Sequence, residues 1–290
     1  MLHWLFMRVT LLGSGGWEGI PVPFCSCRVC ADASVNPVGK NARSRPEILV
    51  ETDRGKFLFE ISPDIRLQSA RFGLKDISHF LVSHWHFDHL YGLLELHAWS
   101  RFTMKGDISI YGSGNTGAWM EKSFAHVPKK VHILSPFVPF DLMGVRVTPF
   151  PVHHMRGKDG QGSELASNNT FGYLLEHGGN KVAYLADYYS IPPQSMDLIS
   201  GADVLIADGT YLFEEHFPPK AEQLGEKDDP DHLHGKNIID LLQLLNPKKV
   251  VFHSITHLSE LSHEEMTSKL PQGFYLGFDG MIVIDPSKVR

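Results

Sequence analysis

Cysteine is scarce: the chain holds three, all between Cys25 and Cys30. That excludes the disulfide framework of small secreted domains, and pairing any two would leave an odd thiol in a strained local loop. Long apolar runs are absent as well. None approaches the roughly 20 residues needed to span a bilayer. The apolar start Met1-Leu2-His3-Trp4-Leu5-Phe6-Met7 also lacks the basic flank and small-residue cleavage site of a signal peptide, so a cytoplasmic protein off the membrane is expected. Basic charge is in deficit, with 27 Lys and Arg against 33 Asp and Glu, which argues against a broad nucleic-acid-binding surface. The Gly-rich turn Gly13-Ser14-Gly15-Gly16 lacks the G-x-G-x-x-G spacing of a dinucleotide site.

Histidine, by contrast, is plentiful. There are 17, and the densest group ends the run Phe80-Leu81-Val82-Ser83-His84-Trp85-His86-Phe87-Asp88-His89. An apolar strand that buries Phe80 and Val82 would deliver this cluster just past its C-terminal end. Imidazole and carboxylate suit borderline divalent metals. His84 and His86, two apart on an extended backbone, face one side, while Asp88 and His89 follow as the chain turns into a helix over Leu90–Leu96. Two ligand pairs can thus face two adjacent metals. His3, His79, His97, His126, His132 and His177 are assigned to surface or core packing.

The remaining chain supplies further donors at strand ends. Cys25-Ser26-Cys27-Arg28-Val29-Cys30 places three thiolates where they can hold one zinc with a fourth ligand from elsewhere. Glu47–Thr52 and Lys56–Ile61 read as a hairpin, with Asp64 opening the helix that follows in a structural role. Ile108–Gly112 reads as a strand and Ala118–Phe124 as a short helix. The strand Val145–His154 ends in two histidines; adjacent residues face opposite ways, so His154 is taken as the ligand and His153 as its support or a substrate contact. Thr170–Glu176 and Lys181–Asp187 form a second hairpin, and Asp187, at the end of an apolar strand, needs solvent or a metal. Ala202–Asp208 repeats that pattern, with Asp208 in a supporting role. Segments 155–169 and 214–231 read as mobile loops beside the site. His232 and His234 precede a helix over about Asn237–Leu245 and are the candidate general acids. A last strand, Lys249–Ser259, carries His253 and His257, one for the active site and the other for the cysteine zinc, in an order the sequence leaves open.

The motif His84-Trp85-His86-Phe87-Asp88-His89 resembles the HxHxDH signature of the metallo-β-lactamase superfamily, which implies a single-domain αββα sandwich, here over residues 1–290. The Leu12–Gly16 opening, Gly19-Ile20-Pro21 ahead of Cys-x-Cys-x-x-Cys, Thr170–Glu176 and Gly277-Phe278-Asp279-Gly280-Met281 resemble the PhnP-like branch of phosphoribosyl cyclic phosphate phosphodiesterases. By this resemblance His84, His86 and His154 bind one metal, Asp88 and His89 a second, and Asp187 bridges them. Cys25, Cys27 and Cys30 hold a structural zinc, and His232 is the catalytic histidine, with His234 as runner-up and Asp88 counted among the catalytic residues. The branch shows Thr-His-Ile-Ser-His where this chain has His253-Ser254-Ile255-Thr256-His257, a rearranged order.

The expected activity is hydrolysis of a small cyclic phosphate such as 5-phosphoribosyl 1,2-cyclic phosphate. Two metals, zinc, manganese, iron or nickel, would lower the pKa of a shared water, and a histidine would protonate the leaving alkoxide. A small phosphorylated substrate is the expected partner, and family habit implies a homodimer. The alternatives are a nuclease of the tRNA 3′-processing type, another hydrolase of this fold, or a non-catalytic metal-bearing carrier of a biosynthetic pathway.

Overall fold

The computed structural model describes residues 6–102, 108–154, 170–213, 232–233 and 235–285. The first half runs β1 (Met7–Gly13), α1 (Arg28–Val35), β2 (Glu47–Thr52), β3 (Gly55–Phe59), α2 (Ile65–Phe72), β4 (His79–Leu81), α3 (Phe87–Leu90), α4 (Leu93–Phe102), β5 (Ser109–Gly112), α5 (Gly114–Ser123) and β6 (Lys130–Ile133). The second half runs β7 (Phe140–Leu142), β8 (Val145–Val152), β9 (Thr170–His177), β10 (Asn180–Leu185), α6 (Pro193–Ile199), β11 (Val204–Asp208), α7 (Lys236–Leu244), β12 (Val250–His253), α8 (His263–Ser268), β13 (Phe274–Leu276) and β14 (Ile282–Ile284).

The strands form two seven-stranded sheets, ordered β14-β1-β2-β3-β4-β5-β6 and β13-β12-β11-β10-β9-β8-β7. Each is mixed. Antiparallel pairs join β14-β1-β2-β3 and β7-β8-β9-β10, and the parallel runs β3-β4-β5-β6 and β10-β11-β12-β13 come from helical crossovers. Alternating side chains settle the layering. Val9, Val50, Phe57 and Phe59 of one sheet meet Val147, Tyr173, Tyr184 and Ile206 of the other in a core between the sheets. The opposite faces take their own helices: Leu49, Leu58, Phe80 and Ile110 pack on Ile65, Leu93 and Met120, while Leu174, Ala183, Leu205 and Phe252 pack on Ile199, Ile238 and Leu242. Strands buried on both faces read as continuous apolar runs, as Val204–Ala207 does. This is the expected αββα sandwich.

The layering positions the chemistry, because β4, β10, β11 and β12 all run in parallel ladders and all lead into polar residues at their C-terminal ends. The hairpin β9-β10 turns at Gly178 and Gly179, both at positive φ, as a tight turn requires.

Two elements depart from expectation. The helix expected over Leu90–Leu96 is split into α3 and α4, with Gly92 between them; a Cβ there would meet the Ser62 carbonyl oxygen at 2.0 Å. Close backbone approach, not turn propensity, fixes that glycine. The strand expected to run from Lys249 to Ser259 stops at His253, because Ser254 turns to φ 57° and breaks the ladder. The loops 155–169 and 214–231 lie outside the described residues, as does His234.

Candidate metal centres

After β4 the chain bends at Ser83 and again at His86, which opens α3 with φ −61° and ψ 159°. His84 and His86 therefore leave from the short connection between β4 and α3, and Asp88 and His89 from a helical turn. His154 follows β8, and Asp187 follows β10 by two residues. One donor atom from each of His84, His86, His154 and Asp187 falls within 4.8 Å of the others. A second group is Asp88, His89 and Asp187. Asp187 faces both: its Oδ2 lies 3.7 Å from Nε2 of His84 and of His154, and its Oδ1 3.5 Å from Nε2 of His89.

These donors fit divalent cations. His154 Nε2 stands 3.2 Å from His86 Nδ1, and two nitrogens about 2.0–2.1 Å from a tetrahedral zinc are about 3.3 Å apart. His84 Nε2 and His89 Nε2 are buried without any hydrogen-bond partner, a costly state for an imidazole nitrogen unless something accepts its lone pair. His84 meanwhile donates from Nδ1–H to the Ser83 hydroxyl, 2.9 Å away, in the tautomer that leaves the Nε2 lone pair for a cation.

The three cysteines gather around a different histidine. Sγ of Cys25, Cys27 and Cys30 lie 3.5, 3.6 and 3.6 Å from Nδ1 of His257. Sulfur and nitrogen ligands of a tetrahedral zinc are separated by about 3.6 Å, so this set fits one zinc. Burial pushes the Cys30 thiol up to about 12, so a thiolate there requires a cation beside it.

His253 is a correction. It joins none of the donor groups found among the described residues. Its Nε2 donates to the Leu185 carbonyl at 3.1 Å and its Nδ1 accepts from the Ser254 hydroxyl at 2.9 Å. Nε2 is spent on holding β12 to β10 and Nδ1 on the adjacent Ser254, so no nitrogen is left for a metal. His153 also stands apart, with Nδ1 at 2.6 Å from the Ser190 hydroxyl and its ring stacked on Tyr189.

His232 meets the site from the other side. Its Nδ1 donates to Asp208 Oδ2 at 2.7 Å, and its Nε2 lies 4.0 Å from Asp187 Oδ2. Asp208 is itself fixed by the backbone N–H and hydroxyl of Thr210, at 2.9 and 2.6 Å. The residue that sequence reasoning missed is Glu60, at φ 65° after β3. It is fully buried, accepts from the Tyr184 hydroxyl at 2.9 Å and from Ser83 N–H at 3.2 Å, and lies 3.5 Å from His89 Nδ1. Like Asp187 and Asp208, Glu60 is a carboxylate where an apolar strand ends, and that was its available signal. A second overlooked carboxyl is Glu18. Burial pushes it up to about 7, and Asp88 adds to the rise, against the backbone N–H groups of Glu18 and His257.

Residues 56–255 match the Beta-lactamase superfamily domain. Over 98% of its length the chain is 27% identical to the octanoyltransferase of Porphyromonas gingivalis, of which it spans about half, 53%. It is 30% identical to coenzyme PQQ synthesis protein B of Methylobacterium radiotolerans, over 72% of this chain and 75% of that one. Among solved structures, a diphosphatase from the PhnP family superposes with a TM-score of 0.78 at 27% identity, covering 96% of this chain and 97% of that one.

Proposed function

The chain belongs to the beta-lactamase superfamily, and from that membership we propose that it is a metal-dependent phosphodiesterase acting on a small cyclic phosphate of the 5-phosphoribosyl 1,2-cyclic phosphate kind. The observation that carries this reading is the pair of donor groups sharing Asp187, with His232 facing the same carboxylate. His84, His86, His154 and Asp187 hold one metal, Asp88, His89 and Asp187 the other, and Cys25, Cys27, Cys30 and His257 a structural zinc.

Divalent metals in the paired positions supply Lewis acidity toward the phosphoryl oxygens and a nucleophile from water at neutral pH. The chain's own residues do the rest. Asp187 fixes the two groups against each other through its two oxygens. Glu60 and the Ser83 hydroxyl orient His89 and His84 from behind. The leaving alkoxide of a phosphodiester departs poorly unless protonated. His232 Nε2 is the group placed to deliver that proton, since Asp208 occupies its Nδ1 and fixes the tautomer. The diphosphatase similarity supports phosphoryl chemistry at this site.

The coenzyme PQQ synthesis protein favours a second reading, a metal-bearing carrier or binding protein of a biosynthetic pathway. One experiment separates the two. Purified protein, with its metal content determined, is offered bis(p-nitrophenyl) phosphate and 5-phosphoribosyl 1,2-cyclic phosphate. Turnover of the cyclic sugar at about three metals per chain supports the phosphodiesterase. A fully metallated protein that cleaves neither compound, with zinc, manganese, iron or nickel added, overturns it in favour of the carrier.

A further inference from the structure

The paired centre is unevenly provided. The first group draws on four residues, the second on three, and one of those three is the shared Asp187. The end of β12 contributes nothing to it. His253 is spent on Leu185, the Ser254 hydroxyl on His253, and His257 on the cysteines. His89 Nε2 nevertheless points, fully buried and without a hydrogen-bond partner, between Asp88 Oδ2 at 3.1 Å and Asp187 Oδ1 at 3.5 Å.

A carboxylate with one unpartnered oxygen lies alongside. Among the described residues, buried carboxylate oxygens lacking any hydrogen bond belong only to Glu47 and to Glu18, whose Oε2 is the orphan. The charges of Asp64 and Glu60 act on Glu47, whereas the charge of Asp88 acts on Glu18. The point that a Cβ on Gly16 would occupy is 3.1 Å from Glu18 Oε2 and 3.3 Å from the Ser254 carbonyl oxygen. Glu18 thus sits beside the position where β12 fails to supply a donor. Its loop is well fixed: Gly16 N–H donates to the Ile255 carbonyl at 3.1 Å and Gly19 N–H to the Gly16 carbonyl at 3.0 Å.

We propose that Glu18 is a donor to the second metal, supplying through Oε2 the ligand that the end of β12 lacks. The inference rests on the two-metal reading above. Oε2 lies outside the 4.8 Å span shared by the Asp88, His89 and Asp187 donors, so ligation takes a rotation of the Glu18 side chain while Ile255 holds the loop backbone. The consequence is an asymmetric centre. Three imidazoles and one carboxylate make the first site the softer one; three carboxylates and one imidazole make the second a hard site that suits manganese.

The test is metal uptake by the full chain, equilibrated separately with buffered zinc and buffered manganese, with metals per chain measured and folding checked by circular dichroism. Wild type is expected to take up three metals and Asp88→Asn two. Glu18→Gln, and Glu18→Asp with its shorter reach, should keep the cysteine-bound and first-site metals and bind the third at least about tenfold more weakly, the loss being larger with manganese. Ser254→His in the Glu18→Gln background should restore the third metal, since histidine tolerates the positive φ at 254. A Glu18→Gln protein that binds the third metal as tightly as wild type overturns the proposal and leaves the two-metal centre standing. Wild type and Asp88→Asn holding the same two metals would remove the two-metal reading itself, and the Glu18 proposal with it.

Discussion

Asp187 gives one oxygen to each of the paired donor groups, and among the described residues no other side chain belongs to both. On the proposed two-metal phosphodiesterase reading, Asp187→Ala should lower the metal content at both paired positions, leave any metal at the cysteines in place, and reduce phosphodiester turnover by at least about a hundredfold. Metal analysis and kinetics on one sample check it. Asp208→Asn addresses a different function. An amide in place of the carboxylate no longer enforces Nδ1–H on His232, so kcat should fall about a hundredfold or more with metal content unchanged. If kcat and metal content fall together, Asp208 is acting on the metals and not on the proton donor. His253→Gln should lose about 1–3 kcal/mol of stability in a denaturant titration, with metals per chain unaltered, because its nitrogens bind Leu185 and Ser254. Much of this scale was legible in the sequence. Four of the donors are near neighbours in the chain, and Asp187 announces itself as a carboxylate at the end of an apolar strand. Glu60 gives the same signal but in the sequence reads as the tail of a hairpin, since its partners Tyr184 and His89 come from other strands and loops.

Helix termini and loop corners carry the element-scale consequences. Helix α8 begins with a capping box: the Ser262 hydroxyl accepts from Glu265 N–H at 3.2 Å, and the Glu265 carboxylate accepts from Ser262 N–H at 2.7 Å. Its first residue, His263, accepts at Nδ1 from Arg43 Nη2 at 3.1 Å. Burial, and then the charges of Arg43 and Lys40, lower His263 to about 4 from its ordinary 6.5. The sign follows directly. Between pH 6.5 and about 4 the unfolded chain takes up a proton that the folded chain refuses, so stability falls as pH drops through that window. His263→Asn, which keeps an acceptor but does not titrate, should flatten this part of the melting temperature profile relative to wild type; parallel profiles would show that His263 does not drive it. Gly92→Ala should destabilise the α3-α4 junction by about 1–3 kcal/mol or more, since the added methyl meets the Ser62 carbonyl. Strand positions were readable because alternation and apolar runs are local. The split of α3 from α4 was not, because what forbids a continuous helix is a carbonyl some thirty residues earlier in the chain.

At the scale of the whole molecule, the cysteine group is a clasp. It joins the loop before α1 to the segment after β12, across a sequence separation of 232 residues, and so ties the N-terminal region of one sheet to the parallel half of the other. Removing its metal with a strong chelator, or substituting Cys30→Ser, should lower the melting temperature by an amount corresponding to several kcal/mol. The paired centre should then lose metal second, because the segment after β12 that carries His257 also holds the Glu18 loop, through the bond from Gly16 N–H to the Ile255 carbonyl at 3.1 Å. Chelation followed by mass spectrometry of the protein under native conditions gives the order of loss.

The sequence by itself determined the HxHxDH donors, the cysteine triad and the carboxylates at or just past the ends of β10 and β11, because each is a local pattern of residue type and spacing, and the layered class came with the family resemblance those motifs carry. The tertiary structure decided which of His253 and His257 faces the cysteines, that Asp208 takes Nδ1 of His232, that Glu60 stands behind His89, and that Glu18 lies beside Ser254. Each of these depends on where the end of one strand falls against a loop from the other half of the chain. Such a neighbour is set by the packing of two sheets, and no periodicity along the chain records it.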